Sequence, residues 1–168
     1  FLAENRDELQ ADLIVVADSG NWSTEKAALT KSLRGVVSQA FTIKTLDHAI
    51  HSGMAGGPVP DAITALVKLL ASLTDEKGDV AIEGLHSDQI EGPEISDSQL
   101  REEAGLLEGV TRMGTKAIAQ QMWGEPAVTV IGIDAPSVAV SSNTALPEAS
   151  ARVSLRLAPS EDPEHALG

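Results

Sequence analysis

Hydrophobic and polar side chains alternate along two stretches of the chain, residues 37–45 and residues 149–157. In the second stretch Leu155 falls on one face and Arg156 on the other. Because successive side chains of a strand point to opposite sides, this period of two predicts strands with one buried face. A third strand is indicated over residues 127–133, where the side chains are apolar and mostly β-branched.

Between residues 60 and 73 the apolar side chains recur every three or four positions instead, which predicts a helix. Its apolar stripe consists of Ile63, Leu66, Val67, Leu70 and Leu73. Residues 96–122 indicate one or two further helices, interrupted near Gly109 and Gly114. Strands and helices in this order predict an α+β fold, a two-layer sandwich of a small antiparallel sheet with helices on one face.

The beginning of the chain has a different pattern. Residues 2–10 indicate the end of a polar-faced helix, and residues 12–18 a strand buried on both faces. We therefore expect a short α/β segment, with residues 1–24 ending one domain and residues 25–168 forming another. Because the chain opens in mid-pattern at Phe1 and stops as a helix starts, we expect a piece of a longer protein whose second domain is incomplete.

The charge and composition of the chain argue against nucleic-acid and membrane partners. The chain has 25 Asp and Glu against 12 Lys and Arg, a net charge of −13. Such a surface repels phosphate backbones, so no nucleic-acid partner is expected. The sequence has no apolar run near the ~20 residues that a bilayer span requires, so no membrane partner is expected either. Cysteine is absent and nothing indicates secretion, which excludes disulfides and favours a cytoplasmic protein.

A few side chains are candidates for chemistry. Asp18 ends a predicted buried strand, where ligands and metals gather in α/β sheets, or else it caps the following turn. His51 opens the glycine-rich loop 51–57, where an imidazole donates to a carboxylate or a developing oxyanion, or simply lies on a surface turn. Arg156 is suited to bidentate binding of a carboxylate, or it is solvated or paired with an acid.

Distinctive segments occur in order along nearly the whole chain: Val16–Trp22 (VADSGNW), Ser32–Gly35 (SLRG), His51–Pro60 (HSGMAGGPVP), and Asn143–Pro147 (NTALP) with Ser154–Pro159 (SLRLAP). Together they resemble the dinuclear zinc metallopeptidase family of aminoacylase, carnosinase, acetylornithine deacetylase and succinyl-diaminopimelate desuccinylase. The resemblance is greatest to the dipeptidase-like branch of that family. The glycine-rich loop that begins at His51 is the most specific of these segments.

The resemblance implies a two-domain hydrolase that cuts the amide bond of a dipeptide or an N-acyl amino acid. Its catalytic domain binds two zinc ions. An inserted lid domain, a ferredoxin-like antiparallel sheet with two helices, forms a homodimer through that sheet. Residues from about 25 onward match the lid, and residues 1–24 match the last catalytic-domain segment before it.

The resemblance also implies roles for individual residues. Asp18 matches a zinc ligand, and His51 matches the lid histidine that stabilises the oxyanion in the partner subunit's active site. Thr144 and Arg156 match positions that hold the carboxylate of the substrate across the dimer. The family's other zinc ligands and its general base have no counterpart in this chain. Since zinc needs three or four protein ligands, we expect the isolated chain to bind no zinc tightly and to be inactive.

Two other functions are compatible with these residues. One is a non-catalytic dimerisation or binding module derived from the same family. In it an edge strand, residues 41–46 or 127–133, joins two sheets across a two-fold axis. The other is an anion-binding domain, which rests on the Gly53–Gly57 loop alone.

Overall fold

The computed structural model describes residues 1–15 and 23–167 of the chain. The chain divides into two compact units, Phe1–Leu33 and Arg34–Gly168. In the part that the structure describes, all helices and strands belong to the second unit. No helix among these residues is long and apolar enough to cross a membrane.

The strands are β1 (Gly35–Lys44), β2 (Ile50–His51), β3 (Ala127–Asp134), β4 (Thr144–Ala145) and β5 (Glu148–Leu157). The helices are α1 (Ser52–Ala55), α2 (Ala62–Ala71), α3 (Asp97–Ala104), α4 (Ile118–Trp123) and α5 (Pro163–Leu167). A short 3₁₀ turn spans Val138–Val140.

The first unit does not contain the helix predicted over residues 2–10. Single turns replace it, in which the N–H of Asn5 donates to the Phe1 carbonyl and the N–H of Leu9 to the Asn5 carbonyl, at 3.0 and 3.1 Å. Leu2 and Leu9 are 75% and 45% exposed, so a helix here would have no apolar face to bury. A short helix without such packing is marginal in water.

The strand predicted over residues 12–18 falls partly outside the described residues. Its described part, residues 12–15, is not assigned to a strand. Asp18 and the rest of that segment are not among the residues that the structure describes.

β1, β5 and β3 form one antiparallel sheet with β5 in the middle. Along β5 buried positions alternate with exposed or half-buried ones, so Leu155 is buried while Arg156 is exposed. The alternation arises because α2 covers one face of the central strand. The predicted α+β sandwich, with an antiparallel sheet and helices packed on it, is thus confirmed.

The core under α2 is small and rich in alanine. Ala62 and Leu66 of the helix meet Ala149 and Ala151 of β5, and all four are buried. Partly buried side chains complete this cluster: Phe41, Ile43, Ile63 and Leu70. Val67, which the helical stripe also includes, is 55% exposed and faces away from this core.

α2 begins at a side-chain cap. Asp61 accepts a hydrogen bond on Oδ1 from the N–H of Thr64, at 2.9 Å. The Thr64 hydroxyl and this N–H hold the pKa of the Asp61 carboxyl below its ordinary value. The cap therefore satisfies an N–H group that the helix itself leaves unpaired.

Replacing Asp61 with alanine is expected to lower the free energy of unfolding by about 1 kcal/mol, the usual effect of a lost N-cap. Urea denaturation of the two proteins at neutral pH measures this difference. Asp61→Asn is the matched control, because its amide oxygen also accepts from Thr64. It should retain most of the stability at neutral pH.

The same pair of variants tests the ionisation of Asp61. A carboxyl whose pKa is lowered by folding stabilises the protein above its unfolded pKa, about 3.9, and loses that contribution as the pH falls through the folded value. The wild type should therefore lose more stability than Asp61→Asn in acid. Parallel stability curves for the two proteins below about pH 4 would contradict this role.

The segment between α2 and α4 is mostly irregular. Ser96 and Gln99 form a capping box at the start of α3. α3 ends at Gly105, whose φ of 66° is in the left-handed region that favours glycine. Residues 96–122 thus hold two helices with a glycine-containing break between them, as the sequence predicts. The Asp79 carboxylate accepts from the Thr115 hydroxyl and N–H, which ties the two ends of this segment together.

Candidate functional site

His51 and Thr144 lie directly opposite each other on two paired strands. β2 and β4 are antiparallel, with His51 opposite Thr144 and Ile50 opposite Ala145. The N–H of Ser52 extends this pairing by donating to the Asn143 carbonyl, at 2.9 Å. Side chains opposite each other in such a pair point to the same face, with their Cβ atoms about 5 Å apart. The fold therefore brings together two predicted site residues that are distant in the sequence.

The His51 ring is held in one orientation by the loop that follows it. Its Nδ1 accepts a hydrogen bond from the N–H of Gly53, at 3.0 Å, and so caps α1. A neutral imidazole has one acceptor and one donor nitrogen, so the proton of this ring is on Nε2. His51 is exposed, which leaves this Nε2–H available to an oxygen of a ligand.

Glycine at position 53 is needed for this arrangement. A Cβ there would lie 3.0 Å from Cε1 and 3.1 Å from Nδ1 of His51, which is tighter than ordinary contacts between side chains. Any side chain would therefore press on the imidazole ring. The glycine-rich character of the loop has a local function in setting the direction of the His51 donor.

The Thr144 hydroxyl is also held in place. It shares a hydrogen bond of 2.8 Å with the Ser142 hydroxyl, in which either oxygen can donate. The N–H of Thr144 donates to the Ser142 carbonyl, also at 2.8 Å, so the turn before β4 is closed on itself. The result is a half-buried hydroxyl beside an exposed imidazole donor.

Arg156 is not brought to this pair. It lies near the far end of β5, between Val36 of β1 and Ala127 of β3. The ladder begins at Glu148, and eight residues at about 3.3 Å each place Arg156 on the order of 26 Å along the strand from that end. His51 and Thr144 lie beyond the Glu148 end. Imidazole and guanidinium therefore occupy opposite ends of the domain.

A second guanidinium lies near Arg156. Burial, together with the positive charge of Arg156, lowers the pKa of Arg34. The Nη1 atom of Arg34 lies 3.5 Å from the carbonyl oxygens of Gln121 and Glu125. No carboxylate in the described part of the chain forms an ion pair with Arg156. This end of the sheet therefore has a positive charge available for an anion.

A cluster that the sequence analysis did not identify lies near α5. The Glu161 side chain is 1% exposed and accepts from the N–H of His86 on Oε2, at 2.5 Å, and from Nδ1 of His165 on Oε1, at 2.8 Å. These two donors hold the pKa of the Glu161 carboxyl below its ordinary value. Glu161 and His165 are four residues apart, a spacing that places two side chains on the same face of a helix and could have indicated their contact. Nothing in the sequence relates His86 to them.

Comparison with known families settles the relationship of this chain. A family profile described as a peptidase dimerisation domain, M20_dimer, matches residues 33–168. The chain belongs to the M20 peptidase dimerisation-domain family. The resemblance noted from the sequence is thereby confirmed.

Curated relatives of this M20 dimerisation domain are dipeptidases. It is 36% identical over 156 residues to the cysteinylglycine-S-conjugate dipeptidase of Corynebacterium striatum, covering 91% of this chain and 34% of the relative. It is 26% identical over 167 residues to the Cys-Gly metallodipeptidase dug1 of Schizosaccharomyces pombe, covering 92% of this chain and 35% of the relative. The chain thus spans about a third of the length of these relatives.

The M20 metallo-carboxypeptidase Sso-CP2 of Sulfolobus solfataricus has the same fold. Its structure superposes with a TM-score of 0.71 at 20% identity, covering 99% of this chain and 46% of that one. The Cys-Gly metallodipeptidase and the metallo-carboxypeptidase are metal-dependent peptidases. The metal ligand that the resemblance implies, Asp18, precedes the residues that match the dimerisation-domain profile and is not among the residues that the structure describes.

Proposed function

We propose that this chain is the lid and dimerisation domain of a cytoplasmic, homodimeric zinc peptidase that hydrolyses a dipeptide or an N-acyl amino acid. The pairing of His51 with Thr144 carries this proposal. It presents an imidazole donor and a hydroxyl on the same face of the domain. In this proposal residues 25–168 form the lid, and residues 1–24 end the catalytic domain.

His51 would act on the oxyanion that forms when the amide carbonyl is attacked. Its Nε2–H is oriented before the reaction, because Gly53 fixes the other ring nitrogen. A donor that is already in place stabilises the charge as it develops, without the cost of reorganisation. Thr144 would donate its hydroxyl to the bound substrate beside the imidazole.

Arg156 would bind the free carboxylate of the substrate through two parallel hydrogen bonds. Arg34 supports this assignment, because its nearby positive charge makes the same end of the sheet more attractive to an anion. A divalent cation in the catalytic domain supplies an activated water and a polarised carbonyl when bound. From this chain only Asp18 would be a ligand of the catalytic zinc ions, and their other ligands would belong to the rest of the enzyme.

The distance between the two ends of the domain would make a dimer necessary for this function. A dipeptide spans about 7 Å, far less than the separation of His51 and Arg156 along the sheet. One substrate therefore cannot contact both residues of the same protomer. In a two-fold dimer, an active site can take His51 and Thr144 from one protomer and Arg156 from the other.

The edge strand β3 is our proposed dimer contact. It exposes Val130, Ile131 and Ile133 by 42%, 54% and 51%. On the other edge strand, β1, Val36 is the exposed large apolar residue, at 52%. Pairing two β3 edges across a two-fold axis would cover this apolar surface and join two sheets.

Mixing two inactive full-length variants tests whether His51 acts across the dimer. His51→Ala lacks the donor and Asp18→Ala lacks a zinc ligand. In a mixed dimer, the intact zinc ligand of one protomer meets the intact histidine of the other at one of the two sites. After random reassociation we expect about a quarter of wild-type specific activity to return, since half the dimers are mixed.

The control for this experiment is the double variant His51→Ala with Asp18→Ala, mixed with either single variant, which should restore nothing. Absence of recovery while native mass spectrometry shows mixed dimers would contradict the cross-subunit role. A full-length wild type that dimerises and hydrolyses no peptide would instead indicate the non-catalytic dimerisation module.

A further inference from the structure

Three donor groups of metal-binding type converge beside α5. Ligand atoms of His86, Glu161 and His165 lie within 4.8 Å of one another. Among the residues that the structure describes, this is the one group of three His, Cys, Asp or Glu side chains with ligand atoms close enough to share a metal ion. The resemblance assigns none of them to substrate or to the catalytic zinc ions. Two imidazoles and a carboxylate are ligands that Zn²⁺ accepts at sites with an open fourth position.

The spacing of the ligand atoms is close to what a metal ion requires. Zinc–ligand bonds of about 2.05 Å at tetrahedral angles separate two ligand atoms by about 3.3 Å. Oε1 of Glu161 lies 2.8 Å from Nδ1 of His165 and 3.7 Å from Nδ1 of His86. These two distances bracket the required value, and the three ligand atoms all lie within 4.8 Å of one another, so rotation of the two exposed imidazoles would complete the geometry.

Burial and exposure are distributed as a binding site requires. The Glu161 side chain is 1% exposed, whereas His86 and His165 are 62% and 54% exposed, so an ion can approach from the solvent side. The two rings are stacked, with centroids 5.3 Å apart and planes 27° apart. No Lys or Arg of the described residues forms an ion pair with Glu161. The charged partners of the buried carboxylate are therefore two histidines, which can bind a metal ion, and not the permanently charged side chain of a Lys or Arg.

We propose that His86, Glu161 and His165 bind one divalent transition-metal ion of the Zn²⁺ type, with water as a fourth ligand. The bound ion connects the loop at His86 to the start of α5. It would thus stabilise the fold by cross-linking two segments that are 75 residues apart in the sequence. The proposal differs from the expectation that the isolated chain binds no zinc tightly. That expectation rested on Asp18 being the only ligand of the catalytic zinc ions in this chain.

Calorimetric titration with Zn²⁺ tests the proposal on the 168-residue chain. We expect one saturable equivalent, and affinity reduced at least ~10-fold in His86→Ala and in His165→Ala. His48→Ala is the matched control, since His48 is also exposed and its Nδ1 contacts the Asp47 carboxylate, but no third ligand from the described residues joins them. It should bind as the wild type does.

A spectroscopic readout separates binding at this site from a general effect on folding. Co²⁺ in place of Zn²⁺ should give the visible absorption of a tetrahedral centre, and Glu161→Gln should abolish it. The glutamine still accepts from the N–H of His86, and circular dichroism should show an intact fold. Full-length enzyme already loaded with its catalytic metal should take up one further equivalent.

Several outcomes would overturn the proposal. The wild-type chain could bind no saturable equivalent of Zn²⁺, or the His86 and His165 variants could bind Zn²⁺ as tightly as the wild type. The His48 control could also lose as much Zn²⁺ affinity as those two variants. A loaded full-length enzyme that takes up no additional ion would do the same.

Discussion

Alanine in place of His51 in the full-length enzyme is expected to lower kcat by about 10²–10³-fold while KM changes little. In the proposed function this donor would act on charge that exists only in the transition state, so its loss would not weaken substrate binding. In the structure the Nε2–H is exposed and fixed in direction by the Gly53 contact, as such a donor requires. Steady-state kinetics of the two enzymes measures the effect.

Two variants distinguish this role from a structural one. His51→Asn retains an oxygen that can accept from the N–H of Gly53, but it places no donor where Nε2 lies. It should keep the melting temperature of the wild type and lose kcat as His51→Ala does. His48→Ala removes a neighbouring exposed histidine and should leave kcat unchanged. A wild-type kcat in His51→Asn would remove His51 from the mechanism.

Leu66→Ala is expected to lower the free energy of unfolding by about 2–5 kcal/mol. Leu66 is 1% exposed, and its buried neighbours Ala62, Ala149 and Ala151 are all alanines. These alanines have no side-chain rotamers with which to fill the cavity, so any relaxation would have to come from the partly buried side chains around the cluster. Urea denaturation of the 168-residue chain measures it.

Leu69→Ala is the matched control, because it makes the same chemical change on the same helix. Leu69 is 41% exposed, so its truncation leaves no enclosed cavity and should cost less than about 1 kcal/mol. Similar losses in the two variants would mean that α2 does not pack on the sheet through Leu66.

The elements that the sequence predicted well are those with a strong local pattern. Apolar and polar side chains alternate along β5 in step with buried and more exposed positions, because one face of the central strand is covered and the other is not. The predicted helix over residues 2–10 failed for the opposite reason. Its apolar residues are few, and in the structure Leu2 and Leu9 remain exposed, so local propensity had no packing to support it.

The candidate site was predictable residue by residue but not as an arrangement. Resemblance singled out His51, Thr144 and Arg156, yet it gave no reason to place the first two together and the third at the far end of the sheet. That separation follows from the strand register, which depends on long-range pairing. The cluster at Glu161 was missed for the same reason, since His86 reaches it only through the tertiary fold.

The main-chain pairing of β2 with β4 has a kinetic consequence. His51 and Thr144 are held by one ladder, and only Leu146 and Pro147 separate β4 from β5 of the main sheet. A rigid-body movement of the domain therefore carries both side chains at once. A substrate would gain the imidazole and hydroxyl contacts in a single closing step and lose them in a single opening step, so closure and product release would each be an all-or-none event for this pair.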